Sequence, residues 1–550
     1  MIRFLLISPS PPWDADFAGL MEADGTAVTR VPPTAIATVA AFAPPGIEVV
    51  LQDETLTPID FDAEADFIGI TANVSQLARA KWIAEGFRMK GRTVIVGGPH
   101  ITLDPQAFEG LCDVAVTGEF EGVAEAFYAD MLNGQLKPAY AGGRPDLSAS
   151  PIPAWDLYDN DRALIGIAQT SRGCPFECNF CDVIQYVGRA QRHKTNEQVI
   201  AEVQKLYDVG YNRIFMADDN FTVYRKRAAS LLEALAAWNG RDGRGYVTFH
   251  TQVSIDIAAD DRMLDLCAEA GLTNLFIGIE TVNEESLKDS LKRQNVSVDV
   301  RARIDNVVAH GLEPVAGLMV GFDADSRRIF EQQYEFAMGL PIGTFKVSSL
   351  SAPVGTPLYQ DMLRAGRIVA DEDRVHYQAG DQITNIHPAQ MTREELYVGT
   401  RWLISRLYEP EGFWSRLQAM AALLGPSPLP ARSHPHDPPG RARSKRLFME
   451  MMMGMRRRDP AVARVIEQTA GLMRERPDIR GTLADILHTW LLNFHGQIAK
   501  GGYHPAWAKL ASPPFEDPAF AEDASTAPLL PAPGPAPARG AFMAQRQAQA

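Results

Sequence analysis

Ser171-Arg172-Gly173-Cys174-Pro175-Phe176-Glu177-Cys178-Asn179-Phe180-Cys181-Asp182 holds three of the chain's five cysteines at a C-x-x-x-C-x-x-C spacing. It follows directly on the apolar run Leu164–Thr170. Three thiolates on one short loop suit a [4Fe–4S] cluster: the loop can wrap three corners and leave the fourth iron without a protein ligand. That open iron can chelate a small molecule. A zinc knuckle with His193 as fourth ligand is the alternative. Structural zinc sites usually pair two half-motifs, however, and there is no second C-x-x-C. Cys112 and Cys267 lie on apolar stretches and read as core residues.

Outward from the loop, a regular strand–helix series begins at 163. Strands are expected at Leu164–Thr170, Arg213–Ala217, Tyr246–Thr251, Asn274–Ile279, Pro314–Val320 and Thr344–Leu350. The first intervening helix carries its own signals. Thr195 and Gln198 form a capping box, Val199, Ile200, Val203, Leu206 and Tyr207 share one face, and Gly210 ends it. Six βα units fall short of the eight of a closed barrel, so a partial (β/α)6 TIM-like barrel over 163–360 is expected.

Upstream, residues 1–142 also alternate strand and helix. Ile2–Ser8, Glu48–Gln52, Phe67–Ile70, Thr93–Val96 and Val114–Val116 read as strands, with helices at Thr34–Ala43 and Leu77–Lys90. This pattern gives an α/β, flavodoxin-like (Rossmann-type) doubly wound domain whose ligands lie beyond the carboxyl ends of the strands. Pro145, Pro151 and Pro153 mark 143–162 as a linker. Residues 361–511 read as mostly helical, and the Pro/Ala-rich stretch 512–550 as a disordered tail.

Composition narrows the function. The chain has 550 residues, 46% apolar and 22% charged, with net charge -15. These are the proportions of a globular protein, and the negative balance argues against nucleic acid as a partner. The start, Met1–Pro9, is too short for a signal h-region and lacks a cleavage pattern. No run approaches the ~18 apolar residues of a membrane span. A cytoplasmic protein is expected. Phe448–Arg458 combines five methionines with Arg456-Arg457-Arg458. It suits a lipid-like substrate or a membrane surface, but a core-facing helix with a solvated basic end is favoured.

The cysteine loop resembles that of the radical S-adenosylmethionine superfamily, whose motif has this spacing and an aromatic residue, here Phe180, before the last cysteine. The resemblance implies that Cys174, Cys178 and Cys181 hold the cluster and that Phe180 packs beside the adenine. It implies that the open iron binds the methionine end of S-adenosylmethionine, and that reductive cleavage yields a 5′-deoxyadenosyl radical. Asp218 and Asp219, after the second strand, then fall near the methionine amino group; a helix N-cap cluster is the alternative. Glu280, ending the fourth strand, becomes a ribose contact. Gly317 and Gly321, ending the fifth, let the adenine approach the backbone.

A flavodoxin-like domain before such a barrel resembles the cobalamin-binding members of that superfamily. On that resemblance Ser75, Gly97, Gly98, Gly118 and Glu119 belong to loops facing the corrin. Other cobalamin carriers ligate cobalt through an Asp-x-His pair. Here Asp53-Glu54-Thr55 puts threonine at the histidine's place, leaving the lower axial position without a protein ligand. A retained scaffold that no longer binds cobalamin is the alternative. His100 reads as a loop residue satisfied by hydrogen bonds. Leu350–Tyr359, Thr384–Pro388, Cys181-Asp182, Tyr186–Arg189 and Lys194-Thr195 resemble the subgroup that includes the hopanoid C-2 methylase.

What this implies is a radical methyltransferase that methylates an unactivated carbon of a small-molecule or lipid-like substrate, using methylcobalamin and an electron donor such as flavodoxin or ferredoxin. An sp³ carbon offers no nucleophile, which is why two cofactors are needed. A radical enzyme performing a cyclisation or oxidation, and a cofactor-sensing regulatory protein, are the alternatives.

Overall fold

The computed structural model describes residues 1–10, 28–369, 384–429 and 440–516. The expected tail, from 517 on, lies outside the described residues.

Six parallel strands form the first sheet: β1 (Ile2–Ser8), β2 (Ile47–Asp53), β3 (Phe67–Thr71), β4 (Thr93–Gly97), β5 (Val114–Thr117) and β6 (Ala139–Ala141). Their order is 2-1-3-4-5-6, so the chain reverses direction across the sheet between β1 and β3. Leu5, Ile7, Ile68, Ile70, Val94 and Val96 bury against one helical layer, with Phe87 at its centre. Phe4, Leu6, Ile95, Val114 and Val116 bury against the other, around Phe127 and Tyr128. Burial on both faces is why these strands read as continuous apolar runs. β6 gave no such signal; its three residues contribute one buried ring, Tyr140.

β7 (Gly166–Ala168) opens the second sheet, and β8 (Ser171–Arg172) pairs antiparallel with β9 (Arg192–His193). Next come β10 (Arg213–Met216), β11 (Thr248–Val253), β12 (Leu272–Glu280), β13 (Glu313–Val320) and β14 (Thr344–Ser349). The second sheet runs β7-β10-β11-β12-β13-β14, all parallel and in chain order. This is the expected six-stranded partial barrel. The capping box at Thr195 and Gln198 starts the Asn196–Asp208 helix, which buries Val199, Val203 and Leu206. Several strand bounds shift by two residues or so, and Leu164–Thr170 is cut after Ala168, where the Asp218 carboxylate takes the backbone N–H groups of Thr170 and Ser171.

The stretch read as a linker is packed. Trp155 is fully buried, and the Tyr158 hydroxyl donates to Asp53 at 2.7 Å. Leu164 and Ile165 donate to the carbonyls of Thr29 and Arg30, which lays the segment before the first helix along the barrel edge. The helices Arg393–Tyr408 and Pro410–Leu423 bury Trp402, Leu403, Ile404 and Phe413 in the same core as the barrel. Arg480–Ala499 crosses the amino ends of the barrel strands. In the Gly440–Arg458 helix Met451 and Met455 are buried, while Met449 and Met453 are exposed. No helix of the described residues is long and apolar enough to cross a membrane.

Candidate active site

The cysteine loop leaves β8 at the carboxyl end of the barrel and is pinned at both flanks. Gly173 N–H donates to Asp219 at 2.7 Å, Asn179 N–H to Ser290 O at 3.1 Å, and Leu358 N–H to Asn179 O at 3.1 Å. Cys178 is buried, and Cys174 and Cys181 are half-buried. Burial lifts the thiol of Cys174, and that of Cys181 to about 12, with the neighbouring Cys178 adding repulsion. Three bare thiolates in this setting conflict, and a cationic iron–sulfur core removes the conflict because metal-bound thiols are deprotonated. The residues fit the cluster. They do not fit a zinc knuckle: the His193 ring meets Tyr224 edge-on at 5.6 Å and faces Arg227 and Asp218. Nor do any three His, Cys, Asp or Glu among the described residues converge on a single-ion site.

The two aspartates after β10 separate into different tasks. Asp218 is fully buried and accepts from Thr170 N at 2.7 Å, Ser171 N at 3.1 Å, Ser171 Oγ at 2.7 Å and the Thr170 hydroxyl. These four bonds occupy the acceptor sites of its carboxylate. Asp218 thereby shapes the approach to the cysteines. Asp219 stays at the loop, with burial and the charge of Asp218 raising its carboxyl to about 6.

Glu280 ends β12 at φ 68°, a conformation rare outside glycine. Gln333 donates to its carbonyl at 2.9 Å, and Asn295 braces the carbonyls of Gly278 and Ile279. Its carboxylate accepts from Lys292 at 2.6 Å. Burial works against the Lys292 charge, but Glu280 and the thiols of Cys178 and Cys181 hold its pKa above the ordinary value. Phe180 meets Phe322 edge-on at 6.3 Å, beside Leu350 and Leu358. A Cβ on Gly317 would meet the Phe276 ring at 2.9 Å, and one on Gly321 would meet Leu396 at 2.8 Å, so packing within the protein favours glycine at both positions.

A cavity of about 360 Å³ opens where the first sheet meets the barrel. Its walls include Phe4, Leu6, Ile36, Ile95 and Phe127 on one side and Ile167, Gln169, Tyr186 and Ala217 on the other. Gly97, Gly98, Gly118 and Glu119 line it, at the carboxyl ends of β4 and β5. A Cβ on Gly97 would come no nearer than 3.5 Å to protein, so the bare backbone keeps cavity space open. Ser75 is not among the lining residues; its hydroxyl donates to Asn73 at 2.6 Å. Asp53-Glu54-Thr55 also lies elsewhere, with Asp53 held by Tyr158. His100 is buried, but its Nε2 has no hydrogen-bond partner.

Glu119 is held by two arginines. It pairs with Arg172 at 2.7 Å and with Arg192, while Glu121 takes the other guanidinium nitrogen of Arg172 at 2.7 Å. Arg172 stands two residues before Cys174, so this buried network ties the loop after β5 to the cysteine loop.

Comparison with known proteins agrees with this geometry. Residues 169–337 match the radical SAM superfamily, and residues 356–473 a domain of unknown function (DUF4070). An uncharacterized methyltransferase of Synechocystis is 30% identical over 424 residues, 76% of this chain and 78% of that protein. The chain belongs to the radical SAM superfamily. The hopanoid C-2 methylase of Rhodopseudomonas palustris is 30% identical over 353 residues, 62% of this chain and 66% of the methylase. The structure of OxsB, a cobalamin-dependent S-adenosylmethionine radical enzyme solved with aqua-cobalamin bound, shares the fold. It aligns at a TM-score of 0.55 over 91% of this chain and 84% of that one, at 15% identity.

As a radical SAM protein, the chain uses a [4Fe–4S] cluster and S-adenosylmethionine. The sequence did not point to Arg192 or Lys292, nor to the pairing of Arg172 with Glu119 and Glu121. Arg172 adjoins Gly173 within the quoted loop, but its partners lie 51 and 53 residues away. Lys292 follows a short helix and carries no local signal for a pair with Glu280.

Proposed function

We propose that this chain is a cobalamin-dependent radical S-adenosylmethionine methyltransferase acting on an unactivated carbon of a small molecule. The observation that carries the reading is adjacency: the glycine-lined cavity of the first sheet abuts the cysteine loop through Arg172, Gln169 and Tyr186. Cys174, Cys178 and Cys181 would hold the cluster. Asp219, Glu280 and Phe180 would border S-adenosylmethionine, and Gly97, Gly98 and Gly118 would receive cobalamin. The apolar walls suit a large, flat cofactor with an aromatic base. When bound, these groups supply a carbon-centred radical and a transferable methyl group.

The protein's own part is to orient and to exclude water. Lys292 sets a positive charge beside the thiols and fixes the Glu280 carboxylate. Asp218 fixes where the chain leaves β7, and the Glu119–Arg172–Glu121 network holds the two cofactor loops in register. The reading includes a cytoplasmic setting and an electron donor of the flavodoxin or ferredoxin type.

The test is anaerobic purification with iron and cobalt analysis, then incubation with reductant and S-adenosylmethionine. Both metals, and both S-adenosylhomocysteine and 5′-deoxyadenosine, are expected. 5′-Deoxyadenosine without S-adenosylhomocysteine or cobalt would leave a radical enzyme of another kind; no cleavage at all would point to a regulatory protein.

A further inference from the structure

The barrel interior holds a second cavity, of about 380 Å³, that no cofactor in this reading accounts for. It lies at the amino ends of β10–β14 and is floored by the Arg480–Ala499 helix. That helix closes the end of the barrel remote from the cysteines. Arg213 pairs with Asp485 and donates to His488 Nδ1 at 3.0 Å; Lys346 donates to Asn493.

The chamber is polar at its base and aromatic at its waist. Phe215 and His250 stack at 4.9 Å and 13°, and the Phe276 ring stands above Gly317. Burial, with the charges of Arg30 and Arg213, drops the His250 pKa to about 3, so the ring is a neutral donor and acceptor. Glu313 is only 3% exposed. One of its oxygens accepts from Thr489 at 3.3 Å and the Asn274 side chain faces the carboxyl; Oε1 makes no hydrogen bond of good geometry among the described residues.

These groups select among ligands. A hydrocarbon would leave Glu313, His250 and Gln252 desolvated and unmatched. Burial raises the Glu313 carboxyl to about 7, so in the folded protein it can both donate and accept, as a hydroxyl can in return. A hydroxyl can donate to Oε1 and accept from a neighbouring donor, while the flat rings cover the C–H face of a saturated ring. We propose that this chamber binds a hydroxyl-bearing, polyol- or sugar-like part of the substrate. The proposal rests on the reading of the chain as a radical enzyme acting at the carboxyl ends of the strands. Glu313 opens β13 and Val320 closes it, roughly 23 Å apart along the strand, so the hydroxylated part would lie about that far from the carboxyl ends.

Saturation-transfer NMR on the anaerobic full-length holoprotein tests this with methyl β-glucoside, hexanoate and toluene as probes. Transfer to the glucoside ring protons is expected, with affinity falling about tenfold in Glu313→Leu, the loss of one good hydrogen bond. Gln252 is exposed inside the lumen, so Gln252→Ala keeps the test alive where Glu313→Leu fails to fold. Preference for hexanoate or toluene, no binding of any probe in the millimolar range, or unchanged glucoside binding in the folded variants would overturn it. S-adenosylmethionine cleavage is read separately on the same sample. Cleavage without glucoside binding sinks this proposal alone; binding without cleavage sinks the radical reading alone.

Discussion

The two six-stranded sheets share a local grammar and diverge in topology. Both are wholly parallel, with loops at the carboxyl ends of the strands. In the first the order 2-1-3-4-5-6 reverses at β1, leaving an open crevice, and the cavity beside it is walled by apolar side chains. In the second the strands follow in chain order, so the sheet curls and acquires an interior. That interior is floored by Arg213, Glu313, Asp485 and Lys346. Strand order, not strand composition, decides whether a parallel sheet offers an edge or a lumen.

The sharpest way to break the comparison is to remove one site and watch the other. Cys178→Ser should abolish iron uptake and S-adenosylmethionine cleavage while cobalt uptake persists; loss of both metals would show that the sites are not separable. Arg172→Met cuts the network joining them and leaves Glu121 buried without its cation, while Glu119 keeps Arg192. A cost of about 3–5 kcal/mol is expected, read as a lowered melting temperature. Glu119→Gln should cost much less, since Arg172 keeps Glu121.

Smaller changes sharpen the contrast within each sheet. Asp218→Asn loses acceptor capacity for the Thr170 and Ser171 groups and should cost about 1–3 kcal/mol. Calorimetry checks it, with iron content falling in step as the cysteine loop loosens. Glu313 titrates in the lumen floor, where burial raises it from 4.5 to about 7; Asp485 raises it further, and Asn274, Thr489 and Arg213 oppose. The folded state therefore holds a proton that the unfolded chain releases, and stability falls as pH rises from 4.5 through 7. Glu313→Gln should lack that decline and gain on the parent across this window in a series of thermal melts. The smallest effect belongs to Gly97→Ala, whose new Cβ meets no protein atom within 3.4 Å. Stability should hold within about 0.5 kcal/mol, while cobalt retention weakens and iron retention does not change.

Much of the fold was legible because its signals are local. The Ile2–Ser8 strand has the expected bounds, and the Thr195–Gln198 capping box starts its helix as read. Each depends on residues within a few positions of one another. β6 was missed for the complementary reason: three residues with one buried ring carry no periodicity. The site was less legible. What packs against Gly317 and Gly321 is Phe276 and Leu396, and Leu396 belongs to a helix 75 residues beyond Gly321.

By itself the sequence determined three thiols on one loop, two runs of parallel strands, and the glycines that follow strands of the first sheet. Only the tertiary structure decided what the charges do. Asp218 and Glu119 sit where a cofactor contact was expected, yet their partners are Thr170 and Ser171 in one case, Arg172 and Arg192 in the other. A buried carboxylate is claimed by whichever donors the fold brings within hydrogen-bond reach, and that proximity is not written in any local stretch of the chain.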